Sequence, residues 1–395
     1  MKYYILLLWF LLFSTVKPDY KNDKVLENEI SYPDAYIPQP FDVISYYAEL
    51  NFMSFPSKVM SGKCVIEVKC LGKPDTSVFF FHLRDLKVDS IFWGETPAFF
   101  EIIEDESSPI FHYNVPFPEN GEIPKLMIYY SGEMTCEESK EFGGVYYSDN
   151  ILYSIGVGMN NNYVSATQHW LPCYDHPSDK ALFSAKFFVP KGLYAASIGE
   201  LKSTENSGDT SIFYWEHSYP CATYLYTFAV SDYIPLELSS QNPKIIVYSQ
   251  PKDTANSKFA YKKLPVMVHF LENIFGDYPF EKVGYANTVL GAMEHQTLVS
   301  LPISVVNNIA LRKDTVASII LHELSHQWFG DLVTCRDFGD AWLNEGFATF
   351  CESMWNEYLY GQDRYLTIQS NNISLYLNQI YNSEGALRQI GRAHV

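Results

Sequence analysis

The chain has 395 residues, 47% hydrophobic and 19% charged, with a formal net charge of −18. That length exceeds one ordinary core and predicts more than one domain, and the apolar content excludes a disordered or low-complexity chain. The acidic balance argues against nucleic acid or an anionic membrane surface as partner; it suits a cationic ligand such as a peptide amino terminus, but a soluble acidic surface explains most of it.

Lys2 precedes the apolar run Tyr3 to Phe13 and then Ser14-Thr15-Val16. A basic residue ahead of so short a hydrophobic core reads as a secretory signal peptide over residues 1–17, too short to span a bilayer. The mature protein is therefore expected to be secreted, periplasmic or extracellular, with no strong membrane association; an uncleaved anchor is the alternative. The seven cysteines are too sparse, and odd in number, for a disulfide scaffold, leaving room for one or two bridges in an exported protein.

From Ile44 to Val230 short β-like runs alternate with turns, among them Cys64–Val68, Ser77–Phe81, Leu126–Tyr130 and Tyr224–Val230. This pattern predicts an all-β sandwich or saddle over 18–236. Within it, the stretch Gln168 to Ala181 carries His169, Cys173 and His176. Their spacing fits no usual zinc pattern and the prolines break a helix, so a second metal site is not expected there. A polar, Pro-containing boundary at Ile234–Pro243 leads to a strand at Lys244–Tyr248 and a helical stretch, Ala255–Phe275, interrupted by Pro265. Next, a strand from Gly284 to Leu290 runs into Gly291-Ala292-Met293-Glu294-His295. At a sheet edge that strand would pair with an extended peptide, and Gly291 would let the two backbones approach.

The stretch Leu321 to Gly330 contains His322-Glu323-x-x-His326. Asp314 or Thr315 can cap a helix there, Val316, Ile319 and Ile320 supply its apolar positions, and Gly330 can end it. On a helix, residues four apart share a face, so both imidazoles can reach one ion with Glu323 beside them. A second helix, Asp340 to Tyr360, can return Glu345 opposite the two histidines. Two His and one Glu leave a tetrahedral Zn2+, one per chain, with an open position for water, which is a catalytic arrangement. Glu352, on the same face as Glu345, either orients a ligand or makes a plain hydrogen bond at the core edge. Trp328, Phe329, Trp342 and Phe347 read as core around the two helices.

His322-Glu323-x-x-His326, followed after eighteen residues by Glu345 inside Trp342-Leu343-Asn344-Glu345-Gly346-Phe347-Ala348, resembles the aminopeptidase N family of zinc metallopeptidases, the gluzincins. Gly291 to His295 resembles that family's exopeptidase motif Gly-Ala-Met-Glu-Asn, with His295 in place of Asn. Phe275–Phe280 and Gly330–Thr334 are further family-like phrases, and Asp175–Ala181 resembles bacterial branches of the family more than animal ones. The similarity runs from about residue 40 to 389.

The resemblance implies a multidomain fold, an N-terminal β domain followed by a thermolysin-like α+β zinc catalytic domain over 237–389. It implies hydrolysis of the first peptide bond of peptides with a free amino terminus, through water activated by zinc and Glu323. Glu294 would anchor the free α-amine, with Gly291, Ala292, Met293 and His295 around the substrate. Side-chain preference and oligomeric state stay open. Family members carry a further Gln or Glu near the 168–181 segment that helps hold the amine, and no residue here aligns with it. The family's oxyanion Tyr lies farther beyond the third ligand than the fifty residues left here, and Tyr358, Tyr360, Tyr365, Tyr376 and Tyr381 come too early. The closing C-terminal helical domain is absent as well. Ile390 to Val395 reads as a translated sequencing adapter, so the natural chain is expected to leave this sequence near Gln389. The alternative is a non-catalytic peptide-binding relative, or an inactive fragment lacking that Tyr.

Overall fold

The computed structural model describes residues 36–382 apart from 74–76, 105–110, 119–122, 138–142 and 161–162. The expected signal peptide and adapter-like tail lie outside the described residues. An eight-stranded sheet dominates the first part, in the order Glu200–Ser207, Thr210–Ala222, Lys180–Pro190, Phe41–Asn51, Val59–Cys70, Leu126–Glu133, Lys87–Trp93 and Thr96–Pro97. All its pairs are antiparallel except Phe41–Asn51 with Lys180–Pro190. Alternate residues are buried along these strands (Tyr46, Ala48 and Leu50 in one; Cys64, Ile66 and Val68 in the next), as expected where one face packs on a core and the other is wet. That core includes Trp170, Trp215, Tyr130 and Tyr226, all fully buried.

The chain turns away from the expected strand Tyr224–Val230 at its start. Thr223–Leu225 is a tight helical turn, and only Phe228–Ser231 is extended. The cause is nonlocal: Thr223 donates its hydroxyl to Asp175 at 2.7 Å, and its carbonyl accepts from the Thr167 hydroxyl at 2.7 Å.

The second part is built on a four-stranded sheet in the order Ile234–Ser239, Lys244–Ser249, Lys282–Thr288, Val299–Pro302. The stretch expected as a polar boundary thus contributes an edge strand, antiparallel to its neighbour. Strand Lys282–Thr288 is parallel to both its neighbours and buried at every position. It is therefore interior, not the edge that its sequence suggested, and a peptide cannot add to it. Helices Thr254–Ala260 and Leu264–Phe275 replace the single predicted helix, with Pro265 in the first turn of the second, where its missing N–H costs nothing. Helices Ile303–Arg312, Ser318–Ser325, Trp342–Tyr360 and Gln362–Asn382 follow. No helix among the described residues is long and apolar enough to cross a membrane. All seven cysteines are free, so the described structure uses none of the bridges an export reading allowed.

Lys282 joins the two parts. Its ammonium donates to Ser197 O at 2.9 Å and lies 4.4 Å from the centre of the Trp215 ring, and burial pushes its pKa down to about 7. Between that value and the ordinary one of 10.5, the unfolded chain holds a proton that the folded chain has lost, so this group makes stability climb as pH rises. Denaturant midpoints at the two ends of that window should therefore rise more for the native protein than for Lys282→Met. Equal rises would show that Lys282 stays charged.

Candidate metal centre and peptide site

Helix Ser318–Ser325 begins after Asp314, whose carboxylate accepts from the N–H groups of Val316 at 2.8 Å and Ala317 at 3.3 Å. Both N–H groups precede the helix, whose N-cap residue Ala317 makes no side-chain capping bond, so neither Asp314 nor Thr315 caps it as the sequence suggested. The regular helix stops at Ser325, earlier than Gly330 suggested, but His326 remains right-handed and its N–H still reaches His322 O at 3.3 Å. That last turn brings the two Nε2 atoms within 3.2 Å. Glu345, in the first turn of Trp342–Tyr360, places Oε2 3.3 Å from His322 Nε2 and 3.7 Å from His326 Nε2. Ligand atoms bound at 2.0–2.1 Å around a tetrahedral ion lie roughly 3.3 Å apart, so this donor set fits Zn2+.

The far nitrogens of both rings are held. His326 Nδ1 lies 3.0 Å from Phe329 O, a pure acceptor, which puts the proton on Nδ1 and leaves the Nε2 lone pair for a metal. His322 Nδ1 lies 2.9 Å from Glu352 Oε1, so Glu352 is hydrogen-bonded to a donor of the set. Burial opposes charge on His322, but the hydrogen bonds from Glu345 and Glu352 outweigh it and lift its pKa to about 11.

Glu294 and Glu323 are buried, and their carboxylate oxygens and a His326 nitrogen all lie within 4.8 Å of one another. Burial raises the Glu323 pKa well above the usual range; His322 opposes this, and Glu294, Glu345 and Glu352 add to it. Glu294 is raised mainly by burial as well, against His326. Two buried carboxylates beside a three-donor site suit a proton-transfer role for one and a cation-binding role for the other.

Two family models match the chain: the peptidase M1 N-terminal domain over residues 44–225 and the peptidase family M1 domain over 259–390. The chain belongs to the aminopeptidase N family of zinc metallopeptidases. A probable aminopeptidase 1 of Saccharolobus solfataricus is 30% identical over 255 residues, covering 60% of this chain and 32% of that protein. The matched region thus spans about a third of the length of such curated relatives. The crystal structure of an M1 zinc metallopeptidase from Deinococcus radiodurans superposes with a TM-score of 0.70 at 24% identity, over 86% of this chain and 74% of that one. A mutant of that enzyme, solved with a Tyr-Ser-Ala substrate, matches at 0.70 and 23%, over 86% and 75%. At these identities the two structures speak for the fold.

In the stretch that resembles an exopeptidase motif, Gly291 has φ +69°, a conformation that favours glycine, and with Ala292 it is half-buried. Met293 is buried and exchanges two backbone hydrogen bonds with Ser300 on the edge strand, at 3.0 and 2.9 Å. His295 is fully buried: Nε2 accepts from Gly156 N–H at 3.1 Å and Nδ1 faces the Ser300 hydroxyl at 3.1 Å. Burial lowers its pKa to about 3, so it is neutral and fully engaged.

Phe329 stacks on Phe347 at 4.4 Å between the two helices and Trp328 is buried, whereas Trp342 is 56% exposed and stands outside that core. His169 lies against Glu137 and Thr135, His176 against Ser178, and neither belongs to a metal-binding group among the described residues. Sequence reasoning missed Tyr224, which donates to Gly330 O at 3.3 Å and accepts from Asn344 at 3.2 Å, bracing the residue before Glu345 from the β domain. It also missed Gln327, whose only sequence signal is its place beside His326.

Proposed function

We propose that the protein is a zinc-dependent aminopeptidase that removes residues from peptides with a free amino terminus. The observation that carries this reading is the cluster of His322, His326 and Glu345 with the buried carboxylates of Glu323 and Glu294 beside it. His322, His326 and Glu345 hold one Zn2+ per chain. When bound there, the ion would supply Lewis acidity for a carbonyl and a water. Glu323 takes the proton of the attacking water and passes it to the leaving amine; its burial and acidic neighbours give it the proton affinity that a general base needs. Glu294 accepts the hydrogen bonds of the α-ammonium, and a charged hydrogen bond of that kind contributes about 1.5–3 kcal/mol. Gly291 and Ala292 offer backbone to the substrate, while Met293 and His295 anchor the loop from inside. The acidic balance favours approach of a cationic amino terminus, and the leader-like sequence of residues 1–17 supports a reaction outside the cytoplasm.

The test is product analysis by mass spectrometry on the full-length protein, with a free peptide and its N-acetylated twin, with and without chelator. Stepwise shortening of the free peptide alone, stopped by chelator and restored by Zn2+, is expected. Internal cleavage of the acetylated peptide would overturn the reading.

A further inference from the structure

We infer that Gln327 is a positioning residue that fixes the distance between the metal helix and the loop carrying Glu294. The inference rests on Glu294 being the amine anchor. Gln327 follows the ligand His326 directly and is 1% exposed. A side-chain amide has two donors and two acceptor directions, and here all four are used. Nε2 donates to Glu294 O at 3.2 Å and to Asp331 Oδ2 at 2.7 Å. Oε1 accepts from Thr297 N–H at 2.9 Å and from the Tyr278 hydroxyl at 2.9 Å. A backbone N–H at one end and a backbone carbonyl at the other admit a single orientation of the amide.

Both ends of the Glu294–Thr297 segment are thereby pinned to the neighbour of a metal ligand. The segment needs pinning. Leu298 N–H closes a turn onto His295 O at 3.0 Å, and Thr297 in that turn has φ +64°, unusual for a residue with a branched side chain. The Thr297 carbonyl also lies so close to Gly284 that a Cβ there would come within 2.4 Å of it. The β domain fixes other points of the same loop: Tyr153 accepts from Leu290 N–H at 3.0 Å, His217 meets Gln296 at 2.7 Å, and Gly199 N–H donates to the Thr297 hydroxyl at 2.7 Å. Those contacts place the loop against the β domain; Gln327 places it against the metal helix. An anchor and a metal centre whose separation is fixed in this way select the bond next to a free amine.

The test compares Gln327→Met, which keeps volume and loses all four bonds, with Gln327→Glu, which keeps the two acceptor contacts and sets an oxygen against Glu294 O and Asp331. In the full-length protein, KM for an amino-acid anilide with a free α-amine should rise about tenfold or more in both, with kcat within about threefold. Zinc content and inhibition by an amine-free acyl hydroxamate should not change. Dipeptide affinity of the metal-free protein, by calorimetry, should fall with the same factor. Should Gln327→Met fail to fold, Gln327→Glu reads the same quantity. Unchanged KM, or equal losses for the anilide and the hydroxamate, would overturn the inference. Glu294→Gln separates the two claims. If it raises KM and the Gln327 variants do not, Gln327 is only structural; if it leaves KM unchanged, the amine-anchor reading itself fails.

Discussion

Glu323→Gln is expected to lower kcat by about 10³-fold, roughly 4 kcal/mol of transition-state stabilisation, while zinc content and peptide affinity stay near native. The amide has the shape of the carboxylate but cannot take a proton from water. The donor set keeps its hydrogen-bonded frame, because His322, His326 and Glu345 meet one another directly and the far ring nitrogens of the two histidines face Glu352 and Phe329. The substitution also removes a buried carboxyl whose charged form is penalised by its surroundings, so thermal stability should hold or rise. In the native enzyme, kcat/KM should fall as pH drops through the pKa of this group, since only the deprotonated form is a base. Steady-state kinetics with zinc analysis and calorimetric peptide binding checks all of this. A kcat within about tenfold of native would assign the base elsewhere.

Glu294→Gln is expected to lower kcat/KM for free-amine substrates by about 10- to 100-fold, with KM carrying most of the change. The side chain is buried among Glu323, Glu345 and the two imidazoles, and in the proposed role a substrate ammonium would neutralise its carboxylate. With the charge gone, the difference in affinity between free-amine and acetylated peptides should shrink toward the level of a neutral hydrogen bond, about 1 kcal/mol. Competition assays with the paired peptides measure that difference. An undiminished preference for the free amine would locate the anchor on another residue.

The cluster of His322, His326 and Glu345 was legible in the sequence because its geometry is mostly local. Helical spacing fixes His322 against His326, and one helix start carries Glu345. The β-rich first part was legible from alternation, as in Phe41–Asn51, where the buried positions follow the pleat. What the sequence hid depends on partners distant in the chain. Strand Lys282–Thr288 looked like an edge strand because its neighbours, Lys244–Ser249 and Val299–Pro302, cannot be read from its own residues. Thr223 forms a turn because Asp175 and Thr167 claim its polar atoms. Trp342 is exposed although tryptophan is usually core, because it opens a helix beside Asp340 and donates its N–H there at 3.3 Å. Gln327 reads as one more polar residue until Tyr278, Glu294 and Thr297 are brought around it.

The central claim is that His322, His326 and Glu345 share one zinc ion, and X-ray absorption at the zinc edge tests it most directly. Protein loaded with one equivalent of Zn2+ should show a nearest shell of nitrogen and oxygen only, at about 2.0–2.2 Å, lost in His326→Ala. A sulfur shell at about 2.3 Å would contradict it, placing the metal on the free cysteines instead.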